Sequence, residues 1–591
     1  MRNYVNGHWI SPLKCAVAKK GRRACLHFYS QESQTGNQRN NGKLHLLIII
    51  DDGGWRKLDK FIENFSHSDN PFTSVLIANR GEIACRIIRA CRELGLSSVA
   101  VYAENDATSL FVEMADSAIL LPGEQLAETY LNAEAIIAAA HASGAGAIHP
   151  GFGFLSERAD FAQAVTSAGL VWVGPSPHAI TSMGDKMTAR IAMRAAGVPV
   201  IPGEEIEETD EQASFLAIQA ASEIVGYPLL LKASAGGGGK GMRAVEHPDG
   251  LLEAAKGARR EAITAFGDGR VYVERLLTGS RHIEIQVLAD RHGNTIHLGE
   301  RECSIQRRHQ KVLEESPSSA VDAELREYMG KAAVAAAEAV DYEGAGTVEF
   351  LLSQSGEFFF LEMNTRIQVE HPITELVTGT DLVQQQLLIA AGNPISQSIM
   401  QRIPSGKTGL RMQGHAIEVR VYAENPATGF LPAIGPLQVF IAPEGPGVRL
   451  DTGVRQGDNI TPNYDPMIAK LVVHAPDRDS AIRRMRVALH DFVILGCTTN
   501  INFLSDLLSH HEFVAGNTPT NFIDLHWAEG WSEELGEKGN LFFSAVSGVA
   551  ESVGIHRKYR GSSDIGDGLA GGSIERGDPF NPFLSINRRL P

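Results

Sequence analysis

The sequence predicts a multidomain chain of mixed α/β and α+β class. Its 591 residues are too many for one hydrophobic core and point to about three or four structural units. Strand-like and helix-like segments alternate from Ser74 to Gly174, and a β-rich region built around a glycine loop begins at Leu229.

Order is expected from Phe72 onward. Ser74 to Ala78 reads as a buried parallel strand, and Gly81-Glu82 opens a helix with apolar positions Ile83, Ile87, Ile88, Cys91 and Leu94. Strands at Ser98 to Tyr102, Ala147 to His149 and Val171 to Gly174 alternate with helices at Leu131 to Ala142 and Glu157 to Ala168, which makes a doubly wound unit. A helix over Asp185 to Ala196 follows, then an acidic, loop-containing stretch from Gly203 to Glu211, with a boundary expected near 203.

Composition excludes several classes. An apolar fraction of 43% with 21% charged residues is that of an ordinary globular protein, and a net charge of -16 leaves no basic footprint for nucleic acid. The aliphatic run ending at Ile50 is far shorter than the ~20 residues that span a bilayer, so no membrane crossing is expected. Six cysteines without C-x-x-C spacing suggest neither a disulfide framework nor a zinc site and fit a reducing compartment. The first 31 residues hold six basic side chains and no acid, the bias of an organellar transit peptide; a disordered extension is the alternative. The compartments expected are therefore the cytoplasm or, alternatively, the mitochondrial matrix.

Leu229 to Arg243 contains Gly236 to Gly239 and Gly241, with Lys232 and Lys240 bracketing the glycines. Bare backbone N–H groups in such a loop wrap phosphate oxygens. A Walker loop fails at Ser234 and Gly241, and the dinucleotide motif fails because Met242 to Val245 reads as strand rather than helix. A hairpin lid over phosphates is the remaining functional reading, with a plain flexible linker as the bland one.

Downstream, Gly346 to Leu352 and Phe358 to Asn364 flank a turn at Ser353 to Gly356. As a hairpin this sets Glu349 opposite Glu362, and like charges so placed are costly without a cation. If the chain stays extended, Glu362, Asn364, Arg366, Gln368 and Glu370 share one face. Glu349, Glu362 and the Asn364 amide oxygen are hard ligands suited to magnesium carrying nucleotide phosphates, while Arg366 offers a planar fork to a small oxyanion. A solvated strand face is the alternative. Arg281 to Leu288 alternates likewise and leads, through a hairpin partner, into the charged run Glu300 to Lys311, which a solvated loop would also explain. Cys303 is expected to be a packing residue rather than a nucleophile.

Taken together, these segments resemble the biotin carboxylase family of ATP-grasp enzymes from about Phe72 to about Asp524. The matching blocks are Ile77 to Ile83 (IANRGEI), His149 to Glu157 (HPGFGFLSE), Met183 to Lys186 (MGDK), the glycine loop, Gln306 to Lys311 (QRRHQK) and Glu362 to His371 (EMNTRIQVEH). The resemblance implies a Rossmann-like domain over 72–187, an ATP-grasp domain over 188–410 with a lid at about 204–276, and a C-terminal domain over 411–524. Residues 1–71 would be an extension and 525–591 a tail. It implies ATP, magnesium or manganese, bicarbonate and biotin as the reactants and cofactors.

By the same resemblance Lys186, Lys232, Gly238 and Gly239 would hold ATP phosphates with His282 nearby, and Glu274 through Leu277 would line the adenine site with His309 close. Glu349 and Glu362 would hold the metal. Lys311, Arg366, Gln368 and Val369 would hold bicarbonate, Glu370 would remove its proton, and Arg420 would stabilise the biotin enolate. The expected partners are a biotin carboxyl carrier protein and a carboxyltransferase subunit, with the chain a homodimer. No methionine is followed by lysine, so the Met-Lys-Met attachment turn is missing and biotin is expected on a separate carrier.

Phe152 stands where the family usually has tyrosine, and Ala235 replaces a loop glycine. Asp578 to Phe583 faintly resembles the entry to the next domain of acyl-CoA carboxylase α-subunits, so a truncated α-subunit is one alternative. The others are a carbamoyl-phosphate-type ATP-grasp ligase, which the 366–370 block and Arg420 argue against, and a catalytically silent assembly subunit.

Overall fold

A computed structural model describes residues 70–532 apart from 124, 209, 234–241, 267–268 and 309, and gives the backbone of six short strands between Asn3 and Lys57. Gly238, Gly239 and His309 lie outside the described residues, as do the side chains of the extension and the tail beyond 532.

The expected alternation forms a five-stranded parallel sheet in the order Val171–Trp172, Ala147–His149, Ser74–Ile77, Ser97–Tyr102, Ser117–Leu120. The helices Gly81–Glu93, Ala133–Ser143 and Ala159–Ser167 connect its strands. Strand order reverses between Ser74–Ile77 and Ala147–His149, and in open parallel sheets the carboxyl ends at such a point open a crevice for ligands. Asn79 closes one side of it by donating from Nδ2 to the carbonyls of Pro150 and Phe152, both at 2.8 Å. Gly151 and Gly153 take left-handed backbone (φ +63° and +67°), which turns the chain tightly around Phe152.

The stretch read as acidic and loop-containing opens with a strand, Gly203–Ile206, and leads into a helix, Glu211–Val225, that the sequence reading did not single out. This strand joins Val271–Arg275, Leu229–Ala233 and Arg243–Val245 in a four-stranded antiparallel sheet with its own apolar core. The strands on either side of the glycine loop do pair, Leu231 opposite Arg243.

The third sheet is the scaffold of the site. Eight antiparallel strands run in the order Phe358–Asn364, Gly344–Leu352, Arg281–Ala289, Thr295–Arg307, Gln310–Ser316, His415–Tyr422, Met467–Ala475, Val448–Thr452. The ladder is continuous across residue 410, where the sequence reading placed a domain boundary: Gln310–Ser316 hydrogen-bonds directly to His415–Tyr422. The charged run from Glu300 is not a solvated loop, because Glu300, Arg301, Glu302 and Cys303 are buried in the centre of this sheet. Among the described residues no helix is long and apolar enough to cross a membrane.

Candidate active site

Glu349 and Glu362 are partners across the hairpin ladder, as the sequence suggested, but the pairing is reached through a bulge. Nearer the turn the pairs are Leu352 with Phe358 and Phe350 with Phe360; Leu361 is the extra residue that then brings Glu362 opposite Glu349. Phe360 spends its freed N–H on the carbonyl of Pro199. The strand ends at Asn364, so the row expected to stay extended to Glu370 does not. Residues 365–370 form a loop, and Glu370 caps the helix His371–Thr378 at its N-terminus.

Most of the expected row converges nonetheless. Glu349 Oε1 accepts from Asn364 Nδ2 and Gln368 Nε2, each at 2.8 Å, and from Lys311 Nζ at 3.0 Å; His282 Nε2 lies 3.0 Å from the other oxygen. Burial raises the Glu349 carboxyl, yet Lys311 and His282 outweigh that and hold it well below the usual carboxylate range. For Glu362 the desolvating protein around it and then the Glu349 charge push its carboxyl up, and among the described residues no cation is bonded to it. Two opposed acids, one lacking a cation partner among the described residues, are hard oxygen donors of the kind a divalent metal takes, while the Asn364 amide is engaged by Glu349 and Arg366. Glu362 and Asn364 also line a cavity of about 270 Å³ together with Lys186 and Glu157.

Lys311 Nζ donates to Glu284 at 2.5 Å, Glu349 at 3.0 Å and Glu370 at 2.6 Å. Burial alone would lower this ammonium, but the three carboxylates hold it well above its ordinary value. Arg420, on the adjacent strand, donates from Nε to Glu314 at 2.7 Å and from a terminal nitrogen to Glu370 at 3.0 Å. Glu370 thus receives a cation on each oxygen, and Lys311 and Arg420 override burial to keep its carboxyl well below normal.

Arg366 Nε donates to Glu157 at 2.9 Å, with a terminal nitrogen on the Asn364 amide oxygen at 3.0 Å. The Val369 carbonyl accepts from Lys470 at 2.9 Å. Lys232 is ion-paired with Glu274, which also lies 3.5 Å from Arg190, so an expected phosphate ligand and an expected adenine neighbour are joined. Leu277 is half-buried in the loop after Val271–Arg275. Lys186 begins the helix Lys186–Ala195, capped by Asp185, and is exposed. Cys303 is fully buried and its thiol is pushed well above normal by burial, as expected of a packing residue.

Three residues escaped sequence reasoning. Arg301 is completely buried and donates to Glu284, Gln286, Thr347, Gln368 and Thr374 at 2.5 to 3.1 Å. Glu284 joins it to Lys311, and Glu314 anchors Arg420. Glu284 had one available signal, its place on the alternating strand Arg281–Ala289 directly opposite Glu349.

Three family models match in succession: "Biotin carboxylase, N-terminal domain" over residues 71–180, "Carbamoyl-phosphate synthase L chain, ATP binding domain" over 185–398, and "Biotin carboxylase C-terminal domain" over 418–525. Biotin carboxylase 1 of Bacillus subtilis is 50% identical over 455 residues, which is 76% of this chain and 98% of that one. The chain belongs to the biotin carboxylase family. Biotin carboxylases are ATP-dependent ligases. The mitochondrial methylcrotonoyl-CoA carboxylase subunit alpha of Dictyostelium discoideum is 51% identical over 457 residues, 77% of this chain, and the match spans only 64% of that relative. Among solved structures, the biotin carboxylase domain dimer of Hydrogenobacter thermophilus 2-oxoglutarate carboxylase, in complex with MgADP, ADP and bicarbonate, shares 44% identity at a TM-score of 0.71. It covers 77% of this chain and 98% of its own. A biotin carboxylase from Campylobacter jejuni gives the same TM-score at 43% identity.

Proposed function

We propose that this biotin carboxylase uses ATP and bicarbonate to carboxylate biotin on a separate carrier, with Glu370 as the base and Arg420 as the oxyanion partner. The observation that carries this reading is Glu370 bridged between Lys311 and Arg420 on neighbouring strands. Bicarbonate is a weak nucleophile, so it needs a base and a cationic clamp that aligns it on the γ-phosphate. Arg366, Gln368, Lys311 and the Val369 backbone form that clamp. Lys186, Lys232, Gly238, Gly239 and His282 hold the phosphates, and Glu274 to Leu277 with His309 line the adenine site. Glu349, Glu362 and Asn364 hold magnesium or manganese, which neutralises phosphate charge when bound.

As it stands Glu370 is a poor base, because two cations favour its charged form. An arriving bicarbonate draws Lys311 partly to itself and so raises the basicity of Glu370 where it is needed. Bicarbonate, once deprotonated, attacks the γ-phosphorus of ATP and displaces ADP to give carboxyphosphate. This breaks down to carbon dioxide and phosphate; the phosphate takes the ureido N–H proton of biotin, Arg420 offsets the charge that develops on the ureido oxygen, and the ureido nitrogen attacks the carbon dioxide to give N-carboxybiotin.

The likeness to methylcrotonoyl-CoA carboxylase alpha subunits supports a place in an acyl-CoA carboxylase, with a carrier protein and a carboxyltransferase subunit as partners. The dimeric Hydrogenobacter domain supports a homodimer. Relatives named as mitochondrial support the mitochondrial matrix, and the bacterial relatives the cytoplasm, as its compartment. The test is phosphate release from ATP together with fixation of labelled bicarbonate into free biotin. Both should depend on a divalent metal, and ATP cleavage indifferent to bicarbonate would defeat the reading.

A further inference from the structure

Behind Arg420 lie two more carboxyl groups. Glu314 and Glu418 are both completely buried and stand directly opposite each other, as Cα partners, on the antiparallel strands Gln310–Ser316 and His415–Tyr422. Side chains so opposed have Cβ atoms ~5 Å apart, near enough for the two carboxyl groups to touch. Glu314 Oε1 accepts from Arg420. Glu314 Oε2 and both oxygens of Glu418 are buried without a hydrogen-bond partner.

Three buried carboxylate oxygens without a protein partner would be costly, and like charges directly opposite add to the cost. One proton resolves most of it, since an O–H···O bond between the two acids satisfies two of the three oxygens at once. We propose that Glu314 and Glu418 share a single proton, and that this neutralised pair positions Arg420, leaving its positive charge available to Glu370 and to the oxyanion of biotin. The shared proton stands on the geometry of the pair alone; the role of Arg420 rests on the function proposed above.

The surrounding charges agree. From its own strand the pair faces Lys311, and from His415–Tyr422 it faces Arg420 and the phenol of Tyr422. Lys470 approaches Glu418 from Met467–Ala475, but Glu82 and Asp451 already claim it. Glu370 adds a negative charge from the helix side and Cys303 a neutral thiol from Thr295–Arg307. With Lys311 committed to Glu284, Glu349 and Glu370, no cation among the described residues is ion-paired with Glu418. Burial first, and then Glu370, push the Glu314 carboxyl up to about 7 against the opposing pull of Arg420; burial first, and then Glu314, raise Glu418 well above normal. A raised carboxyl keeps its proton at low pH and loses it as pH rises through the folded value, so the last proton of the pair leaves at a higher pH than that of an exposed glutamate.

Infrared difference spectroscopy of the full chain in H2O and D2O reads the proton directly. A carboxylic-acid C=O band should persist at neutral pH, where exposed carboxylates are ionised, and should be lost or shifted in both Glu418→Gln and Glu314→Gln. Glutamine mimics the neutral acid, so Glu418→Gln should fix bicarbonate into free biotin within about threefold of wild type, keep ATP cleavage without biotin, and lose the alkaline limb of the pH profile for biotin carboxylation. Glu418→Asp, which keeps the ionisable group, should retain that limb. Identical spectra for wild type and the folded variants would overturn the proposal, as would a tenfold or greater loss of carboxylation in Glu418→Gln with ATP cleavage intact. If one variant does not fold, the other supplies the same spectral subtraction. A wild-type chain that fixes no bicarbonate would defeat the proposed function while the infrared band still decides whether the proton is shared.

Discussion

Arg420 and Glu370 are joined by a hydrogen bond of 3.0 Å between adjacent strand and helix cap, which couples the group assigned to biotin with the group assigned to bicarbonate. Neutralising either should separate the two half-reactions. Glu370→Gln is expected to cut bicarbonate-dependent ATP cleavage by about 10² to 10⁴-fold. Arg420→Ala should spare that step and mainly lower biotin carboxylation, and equal loss of both steps in Arg420→Ala would remove its assigned role.

Glu349 faces Glu362 across the hairpin, and the second of these has no bonded cation among the described residues. Glu349→Gln and Glu362→Gln should each lower metal-dependent ATP cleavage by at least about 100-fold while circular dichroism and melting temperature show a folded chain. Substantial cleavage in both variants would sink the metal assignment.

Arg301 answers five polar groups from complete burial. Arg301→Leu should destabilise the chain by about 3–5 kcal/mol, because it strands Glu284 and Gln368 without their partner. Denaturant unfolding measures this, and a loss under about 1 kcal/mol would show that Lys311 alone suffices for Glu284.

His297 is buried with an unpartnered Nε2, and burial lowers its imidazole to about 4. A depressed histidine is neutral in the fold, so its stabilisation is complete above the unfolded value of ~6.5 and is lost as pH falls toward the folded one. The stability gap between wild type and His297→Gln should therefore narrow by up to ~1.4 kcal/mol per pH unit from about pH 6.5 to about pH 4. A gap that stays constant or widens would contradict the burial effect.

No methionine in the chain precedes a lysine. Coexpressed with a biotin ligase, the protein should be unreactive to avidin, carboxylate free biotin slowly and an added carrier protein faster. An intact mass increased by one biotin would refute the separate-carrier reading.

The parallel sheet and the hairpins were legible because their strands alternate or run apolar between clear turns. The site was legible mainly where motifs stood, and its interior much less so. Glu300 to Glu302 looks like solvated sequence since hydrophobic periodicity cannot register a charge satisfied by another charge, and Arg301 meets its partners only in three dimensions. The opposition of Glu349 and Glu362 was reached by counting symmetrically about the turn, yet the real turn is tighter by one residue and Leu361 absorbs the difference. Likewise Asn364 to Glu370 converge through a loop and a helix cap rather than a strand, a geometry that period-two counting does not encode. Glu314 and Glu418 are more than a hundred residues apart in sequence, and only the ladder brings them together.

The unbroken ladder from Phe358–Asn364 to Val448–Thr452 also constrains how the enzyme moves through a turnover. Glu349, Lys311 and Arg420 are fixed to one hydrogen-bonded lattice, so their spacing cannot change without breaking strand pairs. The small sheet around the glycine loop has a separate apolar core, and among the described residues its strands do not pair with that lattice. Under the proposed function, a lid moving over 204–276 would leave that lattice unchanged. The groups proposed to handle the proton and the carboxyl group would then act as a stationary gauge, against which nucleotide is admitted and released.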